Sequence, residues 1–276
     1  MLRSSLAVLA SVCLFGAPAA GLAPESLVVS EIQDYLSHSR VPQHGDVTVS
    51  FAHGVATLSG TVDSLGVKRD AQNAARRDED VIRIVNDIRV AAQGTSPPQI
   101  LEQARKRLQT CYAYSIYDFV GLDVHGDTLI MSGSVTQPYK KDAIGNSLAH
   151  IKGVAQLENQ ITVLPLSMYD EDLRTHVARA IYDDPYFETY VDAGRLPIHI
   201  VVNEGGITLA GAVDSQFDRE RAEQDARIAA TVSDVTILNH LQVSGETGQT
   251  SWELPMDSGI SRQATAGAIG PAHRAR

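Results

Sequence analysis

The sequence predicts an α+β protein made of three tandem αββαβ units, each a three-stranded mixed sheet with two helices packed on one face. Two observations predict it. A glycine-centred strand occurs three times, as Leu58-Ser59-Gly60-Thr61-Val62, Met131-Ser132-Gly133-Ser134-Val135 and Leu209-Ala210-Gly211-Ala212-Val213, and self-similarity of this kind marks a repeat architecture. Downstream of each runs a strand bearing an asparagine: Asn86 in Ile84 to Val90, Asn159 in Leu157 to Val163, and Asn239 in Ile237 to Val243. Apolar residues stand two before, two after and four after each asparagine.

The elements follow from their periods. Ile100 to Leu108 and Leu173 to Ile181 space apolar residues three or four apart, which is the pattern of an amphipathic helix. Asp170 to Asp172 place carboxylates at the start of the latter, where the macrodipole favours them. Val47 to Phe51, Leu122 to Val124 and Ile198 to Val202 read as strands. Turns at His53-Gly54, His125-Gly126-Asp127 and Glu204-Gly205-Gly206 then reverse the chain into the glycine strand, forming a hairpin. A second helix spans Val67 to Ala75, Lys141 to Leu148 and Phe217 to Ile228. Its small residues four apart (Ala71 and Ala75, Ala143 and Ser147, Ala222 and Ala226) permit close packing on the sheet. The asparagine strand closes the unit. In the third copy Asp234-Val235 stands one residue nearer that strand than Asp80-Val81 and Gly153-Val154 do in theirs, which predicts a longer or offset second helix. A glycine inside a strand weakens it, so Gly60, Gly133 and Gly211 imply a bulge or a close backbone approach. These glycines and Asn86, Asn159 and Asn239 are read as structural positions.

The expected organisation is a signal peptide over 1–23, units over 24–93, 97–165 and 167–245, and a disordered tail over 246–276. Met1-Leu2-Arg3, the apolar run Leu6 to Phe15 and the small residues from Gly16 to Ala23 form the three parts of a secretory signal, with cleavage after Ala19, Ala20 or Ala23. The run is shorter than the roughly 20 apolar residues of a membrane span, so an exported, periplasmic chain is expected. Without that segment Cys111 is the single cysteine, leaving no intramolecular disulfide. Gly94 to Pro98 and Leu164 to Ser167 read as linkers, and the tail, with Pro255, Gly259, Gly267, Gly270 and Pro271, has no sustained periodicity.

Charge and motifs exclude several classes. With 33 acidic against 23 basic residues the chain carries −10, which argues against tracking nucleic acid phosphates. The acidity is concentrated in the third unit, where 14 acidic residues face 6 basic ones over 166–245, while the second unit is neutral. No HExxH, GxSxG, GxxxxGK[ST] or paired-cysteine spacing occurs, so no catalytic residue, metal ligand or cofactor is assigned. His53 and His125 read as turn residues, Cys111 as inert, and Asp183, Asp184, Glu188 and Asp192 as a solvated face.

The neutral second unit carries the candidate binding residues. Arg105, Lys106 and Arg107 on its first helix, Lys140 and Lys141 beside its second, and Tyr112 and Tyr114 between them combine cations with amphipathic rings, the composition of a lipid interface. Tyr117 and Phe119 extend the aromatic run. Copy three has Tyr182, Tyr186, Phe187 and Tyr190 in the corresponding place, so the opposing reading is that these aromatics close a core. Trp252 to Met256 in the tail forms a candidate docking segment.

The Leu58-Ser59-Gly60-Thr61-Val62 and Asn86-Asp87-Ile88-Arg89-Val90 pair, with its two counterparts, resembles the BON domain, named for bacterial OsmY and nodulation proteins. The third copy is the nearest match, through Pro197 to Val202 and Gly211 to Ser215. The resemblance covers roughly residues 25 to 245. It implies a non-enzymatic envelope protein linked to osmotic stress or outer-membrane integrity. Its partners would be envelope phospholipid or envelope proteins, and its membrane contact peripheral rather than spanning. The alternative it leaves open is a soluble chaperone-like or scaffolding protein that binds polypeptides.

Overall fold

A computed structural model describes residues 24–91, 94–194, 196–230 and 235–244. The expected signal peptide, the tail and its Trp252 segment lie outside the described residues. Unit one comprises α1 (Glu25–Ser37), a single turn α2 (Val41–His44), β1 (Gly45–Ala52), β2 (Val55–Val62), α3 (Leu65–Ala75) and β3 (Arg83–Val90). Unit two comprises α4 (Pro97–Gln109), β4 (Phe119–His125), β5 (Thr128–Val135), α5 (Pro138–Ala149) and β6 (Gln156–Val163). Unit three comprises α6 (Met168–Tyr182), a 3-10 turn (Pro185–Phe187), α7 (Glu188–Asp192), β7 (Ile198–Asn203), β8 (Gly206–Val213), α8 (Gln216–Ala229) and β9 (Ile237–Val243).

In every unit the glycine strand is central, antiparallel to the strand before it and parallel to the asparagine strand. The registers coincide: Leu58 pairs with Asn86, Met131 with Asn159 and Leu209 with Asn239. Alternation then sends one set of side chains towards the helices. Ala56, Leu58 and Val62 meet Val28, Ile32 and Leu36 of α1 and Ala71 and Ala75 of α3. Leu129, Met131 and Val135 meet Ile100, Ala104 and Leu108 of α4, and Ile207, Leu209 and Val213 meet Val177 and Ile181 of α6. Each fully buried aliphatic side chain stabilises by about 1.5–3 kcal/mol.

The small-residue pattern on the second helix holds in units one and three, where Ala71, Ala75, Ala222 and Ala226 are fully buried. In unit two it does not. Ile144 and Leu148 occupy the buried positions, while Ala143 and Ser147 are half-buried. The close approach of α5 to its sheet falls instead at Gly145, where a Cβ would press on Asn159 Nδ2 at 3.0 Å and touch Met131 and Leu157. α8 is indeed longer, 14 residues against 11 and 12.

Gly60, Gly133 and Gly211 have φ of 133°, 117° and 125°. A Cβ on each would overlap the carbonyl oxygen of Asp46, Phe119 and Pro197 respectively. Antiparallel pairing runs through Gly60 and Gly133, and parallel pairing through Gly211, without an extra residue, so the device is close backbone approach and not a bulge. The asparagines have an equally definite task. Each points towards its second helix and donates from Nδ2 to a carbonyl there: Lys68 O at 3.3 Å, Lys141 O at 3.1 Å and Arg219 O at 2.9 Å. Each Oδ1 accepts from the N–H two residues on, at Ile88, Ile161 or Leu241. One side chain thereby fastens helix to edge strand and satisfies an edge N–H that would otherwise invite pairing.

Asp170 stands in the first turn of α6, as expected, and has a second task. It is buried, and its carboxylate accepts the N–H groups of Glu204 and Gly205 at 3.1 and 2.9 Å, tying α6 to the β7–β8 turn. Glu25 does the same in unit one, accepting from His53 N at 3.2 Å.

Candidate functional site

Nine residues connect α4 to β4, and they do more than join them. Ser115 to Asp118 turn back on a buried carboxylate: Asp118 Oδ2 accepts from Ser115 N at 2.9 Å and Ser115 Oγ at 2.6 Å, and Oδ1 accepts from Thr136 N and Oγ1 at 2.9 and 3.1 Å. Lys140 Nζ completes the set at 2.7 Å. The Asp118 side chain is 0% exposed and that of Lys140 only 11%. Burial opposes ionisation, but the bonds from Lys140, Ser115 and Thr136 outweigh it and hold the Asp118 carboxyl below the usual carboxylate range.

This hub fixes a segment that docks onto unit three. Ile116 O accepts from Ile200 N at 2.7 Å, adding a backbone bond at the β7 edge, and Ile116 and Tyr117 pack on the unit-three core. Phe119, Leu164, Val201 and Ala210 form a separate buried cluster between the outer faces of the two sheets. His199 lies beside it. Its Nδ1 is 3.3 Å from Ser115 O, its Nε2 is 3.4 Å from the Tyr114 hydroxyl, and its ring meets those of Tyr114 and Phe119 at 4.9 and 6.0 Å. Burial lowers the His199 pKa and keeps the ring neutral, as a donor to Ser115 and an acceptor from Tyr114. Burial likewise drives the Tyr114 hydroxyl well above its ordinary value.

The sequence-derived lipid residues therefore separate into two groups. Lys140 is consumed by Asp118, and Tyr114 belongs to the interface with unit three. Arg105 is half-buried and lines a small cavity of about 50 Å³ with Tyr114, Leu108 and His199. These three do not form a free surface, because the segment folds back over its own unit and against the next. The rest remain accessible at one end of unit two. Tyr112 is 88% exposed, Lys106 and Arg107 are exposed on the last turn of α4, and half-buried Lys141 stands on the first turn of α5. Lys106 forms an exposed pair with Glu102 at 3.2 Å, a bond worth about 0.3–0.5 kcal/mol that a competing anion displaces easily. Tyr139, exposed beside Lys141, joins this end and was not singled out from sequence. Nor were Asp118 and His199. The spacing of Ser115 and Asp118 before a strand and of Thr136 and Lys140 after its partner carries the first signal. The second is a polar ring on a strand otherwise apolar on both faces.

Units one and two meet through backbone. Leu65 N donates to Val154 O at 2.8 Å and Gly153 N to Asp63 O at 2.9 Å. Gly66 admits the His150 ring, which reaches Asp70 Oδ2 at 3.0 Å. Cys111 is free and buried in the unit-two core. Among the described residues no group of three or more metal-ligating side chains converges, and no helix is long and apolar enough to cross a membrane. The carboxylates read as a solvated face include one that is not. Asp184 is mostly buried, caps the 3-10 turn through Tyr186 N at 2.8 Å, and pairs with Arg221, which also faces Asp225.

The BON domain profile matches residues 25–92 and 169–245, the first and third units, which together make up more than half of the chain. The chain belongs to the BON domain family. The middle unit, between the matched regions, repeats their strand order, register, glycine geometry and asparagine bonds. No curated protein matches the sequence. Among solved structures, the C-terminal domain of CdsD, a structural protein of the type III secretion system of Chlamydia trachomatis, is 12% identical. That match covers 78% of this chain and 96% of that one at a TM-score of 0.22. The periplasmic domain of PrgH, a type III secretion inner-membrane protein of S. typhimurium, is 15% identical, with 72% and 95% covered and a TM-score of 0.20. Scores this low support no argument about this chain.

Proposed function

We propose that all three units, 24–93, 97–165 and 167–245, act as BON domains of an exported, non-enzymatic envelope protein that contacts anionic phospholipid peripherally through one end of unit two. In this reading the protein serves envelope maintenance under osmotic stress, needs no cofactor and does not bind nucleic acid. The observation that carries the lipid contact is the exposed Tyr112 ring just past the last turn of α4, which bears Lys106 and Arg107, with Lys141 on the first turn of α5 next to the Lys140 that reaches the same connection at Asp118. An amphipathic ring reaches the acyl boundary while the ammonium and guanidinium groups meet headgroup phosphates. Each near-surface cation contributes about 1 kcal/mol, so three contribute on the order of 3 kcal/mol at low salt, an effect screened over a Debye length.

Flotation with vesicles tests this. The chain should float with phosphatidylglycerol vesicles, not with phosphatidylcholine alone, and lose flotation as salt rises. Replacing Lys106, Arg107 and Lys141 together by Gln should weaken binding about a hundredfold. A wild type that never floats, or a triple variant that floats unchanged, rejects the lipid reading. The polypeptide-binding alternative has its own support in the exposed apolar side chains Leu166, Met168 and Tyr169 ahead of and within the first turn of α6. It takes over if the chain instead prevents aggregation of an unfolded client.

A further inference from the structure

A further feature lies in unit one rather than in unit two. It is an open cleft of about 390 Å³ in unit one, between the α1–α2 corner and the C-terminal half of α3. Tyr35, Arg40, Gln43, Asn73 and Arg77 all line it. None of these five side chains makes a hydrogen bond or ion pair to another described residue, whereas Lys140 and Arg221 are held by Asp118 and Asp184. Two unpaired guanidinium groups on one cleft, with two amides and a phenol beside them, supply many N–H and O–H donors. Fork-shaped guanidinium donors match the geometry of tetrahedral oxyanions and carboxylates. The one carboxylate on the wall, Asp70, is directed to His150 Nε2 at 3.0 Å, which offsets its repulsion of an incoming anion.

From this we infer that the unit-one cleft binds a phosphate-bearing anion, clamped between Arg40 and Arg77 with Gln43 and Asn73 as neutral donors. Tetrahedral phosphate suits it better than a carboxylate because the donors approach from two separate elements, the corner after α1 and the turn after α3. The shared chemistry is a phosphate group, carried either by a soluble phosphate compound or by a lipid headgroup. The site does not depend on the lipid contact proposed for unit two.

The test titrates the full mature chain with inorganic phosphate in a phosphate-free, constant-ionic-strength buffer. It follows arginine Nε and side-chain amide resonances together with calorimetric heat. Saturable shifts at Arg40, Arg77, Gln43 and Asn73 are expected. Arg40→Gln and Arg77→Gln should each weaken binding about tenfold, and the double variant about a hundredfold. Both arginines are exposed, so folding is expected to persist, and an unchanged circular dichroism spectrum checks it. Glycerol phosphate and phosphatidylglycerol vesicles then compete for the occupied cleft. Displacement by the soluble compound alone assigns a free phosphate ligand, and displacement by vesicles assigns a headgroup. Either outcome upholds the anion site. No saturable shift at millimolar phosphate, or shifts that survive in the double variant, overturns it, and the flotation result for unit two would stand regardless.

Discussion

Replacing Asp118 by Ala should be among the most damaging single substitutions in unit two. The carboxylate has no exposed surface and accepts five hydrogen bonds, from Ser115, Thr136 and Lys140. Its removal strands the Lys140 ammonium, which retains only the Ser115 hydroxyl at 3.2 Å. Breaking a buried ion pair by removing one partner costs about 3–5 kcal/mol. The orphaned N–H groups of Ser115 and Thr136 lie in the same network, so their losses overlap with that figure. Cys111 provides a local probe, because in a chain beginning at Pro24 it is the single thiol and it is buried in the unit-two core. Thiol labelling without denaturant reads the opening equilibrium. Asp118→Ala should raise it by roughly a hundredfold to several thousandfold. Adding Lys140→Met should recover part of the loss, since the stranded charge is then gone. Because the folded carboxyl titrates below its unfolded value of about 3.9, the stability it confers is complete above that pH and is lost as pH falls further through the folded value. Less than a fivefold change for Asp118→Ala would refute the hub.

Other positions give independent tests. Gly133→Ala, at φ 117° and against the Phe119 carbonyl, should destabilise by about 1–3 kcal/mol in chemical unfolding, whereas Gly126→Ala meets nothing and pays only for its positive φ. Asn159→Ala should cost about 1–2 kcal/mol and expose the Ile161 amide to faster hydrogen exchange. Burial raises the Asp225 carboxyl to about 6, and the nearby Asp184 adds to the shift against the pull of Arg221. The ionised form is therefore disfavoured in the fold, and Asp225→Asn should stabilise on the order of 1–2 kcal/mol at pH 7.5 with little effect at pH 4, as thermal melts at the two pH values will show. Burial depresses the His199 pKa, so wild-type stability should fall as pH drops below the unfolded value of about 6.5, and His199→Gln should flatten that slope.

The repeat was readable because its constraints are local. A glycine forced by a carbonyl one strand away, and an asparagine forced by an edge N–H two residues on, recur with the register itself, so Gly60, Gly133 and Gly211 could be found by comparison within one chain. Alternation and helical spacing placed the strands and α3, α4, α5 and α8 to within about three residues at their ends, whereas α6 starts five residues before Leu173 and the short helices α2 and α7 carry no such periodicity. The aromatic run of unit two was not readable in the same way. Tyr112 and Tyr114 are two residues apart and chemically identical, yet one is solvent-facing and the other packs on His199, a residue 85 positions downstream. Which cations stay free depends likewise on a buried partner, and Lys140 and Lys141 differ only in that the first reaches Asp118. The unit-one cleft was invisible because its two arginines are 37 residues apart and fall on different elements.

The lipid contact at the unit-two end is tested most directly by depth. The only tryptophan is Trp252, so a Trp252→Phe background carrying Tyr112→Trp reports a single site, and the same background carrying Tyr186→Trp reports the surface of unit three. With phosphatidylglycerol vesicles containing brominated acyl chains, emission from position 112 should shift to the blue and be quenched, while emission from position 186 stays unchanged. Quenching that is equal at both positions, or absent at 112 while the protein floats, would contradict the assignment of unit two as the membrane-facing end.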